Sequence, residues 1–164
     1  MQHMKLNTTE REELLASLNS MPEYLREIFE VLTPEQARTP GPDGVFSPVE
    51  QVWHLADLER EGFGVRIDRL LTEPEPHLPD FDGTKVAAER NYRSRSLEEG
   101  LLAFTEARRK NIAALSAIDS LMWSRSGTQE GVGSVSLCDM PRFMLQHDSA
   151  HRDEIEAWKN SVVC

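Results

Sequence analysis

The sequence predicts an all-α fold, a four-helix bundle with long crossover connections that forms one domain over residues 1–164. Three observations carry that prediction. Four segments place apolar residues three, four or seven apart, so each buries one stripe of a helix. No segment of comparable length alternates with period two, the pattern of a half-buried strand. Apart from Pro22 and helix-opening prolines, proline and most of the glycine fall between those segments, where they break helices.

The first helix opens with Thr9 and Glu12 in capping-box spacing and carries Leu14, Leu15, Leu18, Met21, Leu25, Ile28, Phe29 and Leu32. Pro22 interrupts it, and Ser20 with Glu23 repeats the capping spacing there, so a kinked or split helix is expected over about 9–32. The prolines and glycines of TPEQARTPGPDGVF make the next stretch a turn region. Ser47, Pro48 and Glu50 then occupy N-cap, N1 and N3 of a second helix, expected from about 48 to 71. At those positions the hydroxyl accepts from orphan amides, the proline forfeits no hydrogen bond and the carboxylate suits the helix dipole. TEPEPHLPDFDGT is too proline-rich for a helix, although KVAAERNY can form a short one inside the long 72–96 connection. Ser96 and Glu99 cap a third helix through about Ile118. A glycine-marked loop, SGTQEGVGS, leads to a fourth, opened by Ser136, Asp139 and Pro141 and unbroken to about Lys159.

With 18 Lys and Arg against 28 Asp and Glu, the formal charge is −10. Such an acidic surface repels phosphate backbones, so no nucleic-acid partner is expected. The N-terminus lacks the apolar core of a signal peptide, and no run approaches the roughly 20 apolar residues of a membrane span. No membrane partner and a cytoplasmic location follow as expectations. Cys138 and Cys164 form neither CxxC nor a disulfide framework, which fits a reducing compartment. A chain of this length buries enough surface to fold unaided, so any metal is expected to be functional.

The chemistry centres on HDSAH in the fourth helix, where His147 and His151 stand four apart and project from one face. Five histidines in this length give such a pair by chance with a probability of roughly 0.15, so the spacing alone decides little. The face adds more. At about 100° per residue both histidines fall in the stripe of Met140, Phe143, Met144, Ile155 and Trp158, and they are expected to point inward. Two buried imidazoles need either a metal or fixed hydrogen-bond partners. His54, in QVWHLADLE on the second helix, is the third candidate, and three imidazoles on facing helices make a metal site with open positions. The alternative is that all three are hydrogen-bonded core or surface residues. His3 and His77 lie in a terminus and a proline-rich loop and are left outside the site.

Glu50, Asp57 and Glu61 form an acidic stripe beside His54, and Asp148 neighbours His147. One of Glu50, Asp57 and Glu61 is a candidate to orient an imidazole, bind the metal directly or accept a proton, and Asp148 is a candidate to orient an imidazole, with a solvated helix face as the alternative. AERNYRSRS concentrates arginine, so Arg90, Arg93 or Arg95 is a candidate clamp for an anionic substrate or cofactor, against a solvated surface run. Trp53, Trp123, Phe143 and Trp158 read as core. Other chemistries fail on pattern: HDSAH is not followed by a third zincin histidine, there is no Glu-x-x-His pair for di-iron, and GTQEGVG lacks a P-loop ending.

FSPVEQVWHLADLER followed some ninety residues later by MLQHDSAHRDEIEAW resembles the DinB-like superfamily of four-helix bundles. That superfamily includes metal-dependent hydrolases of the YfiT type and bacillithiol- or mycothiol-dependent transferases. The resemblance covers nearly the whole chain, and the family's histidine triad maps onto His54, His147 and His151. It implies a divalent metal, zinc or nickel, with an open position, a small-molecule substrate, frequent homodimerisation, and activation of either a water or a low-molecular-weight thiol. A non-catalytic metal- or ligand-binding module of the stress response is the competing expectation.

Overall fold

Local capping chemistry sets most helix starts in the computed structural model, which describes residues 5–162. Helix α1, Thr8–Asn19, is capped by Asn7 rather than Thr9: the Asn7 side chain accepts from the Glu10 amide at 2.8 Å, and the Glu10 carboxylate accepts from the Asn7 amide at 2.8 Å. The expected split falls at Ser20, before α2, Met21–Phe29, which carries Pro22 in its first turn. Ser20 does not cap α2; its hydroxyl donates back to the Ser17 carbonyl at 2.6 Å. The proline-rich turn region holds one short helix that the breakers concealed, α3, Pro34–Arg38, opened by a Thr33–Gln36 capping box with Pro34 harmless in its first turn.

Ser47 and Glu50 form the expected capping box at the start of α4, Pro48–Asp57. The same rod continues through a widened π turn, Leu58–Phe63, into α5, Gly64–Thr72. That turn has tertiary support, because the Glu59 carbonyl, which accepts the Gly64 amide five residues on, also accepts from the Asn111 side-chain amide at 2.9 Å. A two-residue strand β1, His77–Leu78, and helix α6, Gly83–Arg90, occupy the long connection. Helix α7, Leu97–Ser116, starts at Ser96 as expected.

The loop expected before the last helix is instead a hairpin. Strands β2, Ser126–Gln129, and β3, Gly133–Ser136, pair antiparallel with Gly127 opposite Val135, and β1 adds parallel to β2. Helix α8, Met140–Val162, follows a Ser136–Asp139 capping box. The all-α class stands, with this small sheet at one end.

The rods α1–α2, α4–α5, α7 and α8 make a four-helix bundle, with α4 lying along α7 and α1 along α8. Gly100 lets α7 approach α4 closely, since a Cβ there would stand 2.5 Å from Val52 Cγ2. The core has two parts. Leu18, Leu58, Phe63, Ile67, Leu70 and Met144 belong to one, and Met21, Leu25, Phe29, Val52, Phe104 and Ile155 to the other. Each fully buried side chain of this size contributes about 1.5–3 kcal/mol. Trp53, Trp123 and Trp158 are buried as expected. No helix among the described residues is long and apolar enough to cross a membrane.

Candidate metal centre

His54 projects from α4 and His151 from α8, and their ring centres lie 4.8 Å apart. Phe46 and Phe81 flank the His54 ring at 5.5 and 6.5 Å. Gly83 closes over it so tightly that a Cβ there would meet His54 Cε1 at 2.4 Å. The long connection thus roofs the imidazole and leaves Nδ1 buried with no hydrogen-bond partner. Burial, reinforced by His151, holds the ring down to a pKa of about 4, so it is neutral and keeps a lone pair at physiological pH.

His151 is buried and oriented. Its Nδ1 lies 3.1 Å from Gln51 Oε1 and 3.3 Å from Glu154 Oε2, while Gln51 Nε2 donates to Glu154 Oε2 at 2.7 Å. Both neighbours of Nδ1 offer acceptor oxygens, so Nδ1 is placed to donate and Nε2 is the nitrogen left to meet a metal. The hydrogen bond from His151 also holds the Glu154 carboxyl below its ordinary range.

His147 takes a different position from the one expected. The residue is exposed, and its ring rests edge-on against Phe63 at 5.4 Å and is stacked with His151 at 6.2 Å. Desolvation by its neighbourhood, together with His151 and Arg66, lowers its pKa. Two imidazoles on one tetrahedral ion, with metal–nitrogen bonds of about 2.0–2.1 Å, place their ring centres about 5 Å apart. The His54–His151 pair meets that distance; the His147–His151 pair is about 1 Å too wide. As the side chains stand, no group of three His, Cys, Asp or Glu among the described residues could hold an ion. The imidazole nitrogens and the orphaned, roofed His54 fit a borderline divalent cation, and a third ligand from His147 requires that ring to turn.

The acidic and basic candidates are engaged elsewhere. Asp57 is buried and receives hydrogen bonds from the Tyr92 hydroxyl, Arg60 and Arg90, which outweigh desolvation and keep its pKa low. Glu50 serves the α4 cap and Arg93. Asp148 is locked bidentate onto Arg108 at 2.7 and 2.8 Å, on the side of α8 away from the role expected of it. None of the three hydrogen-bonds a histidine ring. The arginine clamp is likewise not formed: Arg90 is tied to Asp57 and Glu61, Arg93 to Glu50, and Arg95 lies over the Trp53 ring at 3.7 Å. Gln51 and Glu154, which do orient His151, were missed, although their spacing offered a signal: Gln51 is three residues before His54 and Glu154 three after His151. Cys138 is buried, with its thiol pKa pushed up, so it is no nucleophile; His77 is exposed on β1, and His3 and Cys164 lie outside the described residues.

Fold and site together define a helical bundle with facing imidazoles on its second and last rods. The profile of the DinB superfamily matches residues 17–155, and the chain belongs to that superfamily. A protein of Geobacillus thermodenitrificans named as a candidate metal-dependent hydrolase is 32% identical over 90 residues, which cover 55% of this chain and 50% of that protein. The matched region therefore spans about half the length of that relative. YfiT from Bacillus subtilis, described as a probable metal-dependent hydrolase with an unusual four-helix bundle topology, superposes with a TM-score of 0.87 over 98% of this chain and 91% of its own, at 19% identity.

Proposed function

We propose that this chain is a metal-dependent enzyme that holds a divalent ion, zinc or nickel, on His54, His151 and His147 and hydrolyses a small-molecule substrate. The observation that carries the reading is the His54 ring, neutral and roofed, facing His151 at 4.8 Å with a nitrogen that no described residue satisfies. The descriptions of the Geobacillus and Bacillus proteins support a metal-dependent activity. Held by these imidazoles, a divalent ion would supply Lewis acidity to a water, or to a low-molecular-weight thiol in the alternative form of the reaction. The protein's own residues prepare the place: Gln51 and Glu154 orient His151, and Phe46, Phe81 and Gly83 exclude water around His54. His147, being exposed, turns about its side-chain torsions to complete the set.

Elemental analysis of protein purified without chelator tests this. About one equivalent of divalent metal is expected, and it is lost in His54→Ala and His151→Ala; metal-free wild-type protein after incubation with zinc or nickel would overturn the reading. Ester hydrolysis without added thiol, compared with conjugation of a chromogenic electrophile to a thiol, separates the two nucleophiles.

A further inference from the structure

Beside His147 lies a second feature that the metal reading leaves unused. A pocket of 270 Å³ opens between the α4–α5 rod, the β2–β3 hairpin and α8, lined by Phe63, Arg66, Gln129, Val132, Phe143 and His147. Arg66 is 5% exposed, yet its Nε has no hydrogen-bond partner. Among the described residues no carboxylate lies within ion-pair distance of it: the Phe63 ring stands 5.3 Å from the guanidinium carbon, and Asp80 acts on the charge only from beyond hydrogen-bond reach. Gln129 is 8% exposed, and its Oε1 is equally without a partner. Carboxylates outnumber cations in this chain by ten, so the lack of a paired carboxylate at this buried arginine does not come from a shortage of anions.

We propose that this pocket binds the oxyanion of a small-molecule substrate, a carboxylate or phosphate group, on the guanidinium of Arg66. Arginine presents a planar fork of N–H donors that matches either anion bidentately, and in a desolvated pocket such contacts are stronger than in water. The Gln129 amide, turned end for end, adds an N–H donor to the same group. The volume suits one small group, since drug-sized sites begin at about 300 Å³. His147 shares the wall, so the anion anchors a substrate on the histidine side of α8. That the anion belongs to a substrate rests on the metal-enzyme reading; that the pocket takes an anion does not.

The test uses the full chain stripped of metal and titrated calorimetrically with inorganic phosphate and, separately, with acetate. At least one should bind the wild type and raise its Tm, and the responding anion tells phosphate from carboxylate. Arg66→Met should weaken that binding at least tenfold while leaving the ligand-free Tm unchanged or higher, and Gln129→Leu should weaken it several-fold. His151→Ala, outside the pocket, should keep anion binding while losing metal, so the two readings fail separately. Should Arg66→Met not fold, the Arg66→Lys protein carries the test, with weaker binding expected. Failure of both anions to bind the wild type, or equal binding by the Arg66 variants, would overturn the proposal.

Discussion

Two buried polar regions of this bundle are completed in opposite ways. Around Arg108, 2% exposed, the guanidinium donates to Glu59, to Asp148 and to the Leu18 carbonyl, and Asn111 closes the group on Glu59. The carboxylates overcome desolvation and raise the pKa of Arg108. Around the histidines the fold stops short: the three buried side-chain atoms left without a partner among the described residues are His54 Nδ1, Arg66 Nε and Gln129 Oε1. Contacts run from Arg66 to His54, since Arg66 and His147 both touch Phe63, His147 stacks with His151, and His151 faces His54, while Gln129 shares a pocket wall with Arg66 and His147. A fold able to satisfy a buried ion triad could satisfy these atoms as well. Unsatisfied groups strung along one line of contacts are what a site for something outside the chain looks like.

The largest effect should come from breaking the completed region. Arg108→Met leaves Glu59 and Asp148 buried without their cation and should lower unfolding stability by about 3–5 kcal/mol in urea titration. A loss under 1 kcal/mol would remove the contrast. For His54, whose pKa falls from the model-peptide 6.5 to about 4, the unfolded chain binds more protons across that interval. Metal-free protein should therefore be most stable above pH 6.5 and lose up to about 3 kcal/mol as pH falls toward 4. His54→Gln should flatten that slope relative to wild type. Gly83→Ala drives a methyl into the His54 ring and should cost about 1–3 kcal/mol and weaken metal binding, read by thermal melts and metal titration. The smallest change is expected from Arg66→Met, within about 0.5 kcal/mol of wild type or more stable, because it removes an unpaired charge rather than a partner.

What the sequence reveals and what it hides divide along the same physical line. Ser47 with Glu50, Ser96, and Ser136 with Asp139 cap helices through contacts three residues apart, so they are legible locally. His54 and His151 are legible from helix faces; His147 shares that face but is exposed. The β2–β3 hairpin is hidden because SGTQ and GSVS carry almost no apolar alternation and depend on β1 and on one another. The π turn is hidden because its support, Asn111, lies on another helix. The same distance conceals the remote partners of Asp57, Tyr92 and Arg90, and the partner of Asp148, Arg108. Arg66 left a trace: it sits three residues from Phe63, one from Ile67 and four from Leu70, a cation at the edge of an apolar stripe.

The most direct measurement is a crystal structure of zinc- or nickel-loaded protein with anomalous data at the metal edge. The account predicts a peak about 2.0–2.2 Å from a nitrogen of both His54 and His151, with the His147 ring turned in to meet it. A metal peak elsewhere, or loaded protein in which these two rings face one another with no ion between them, would contradict it.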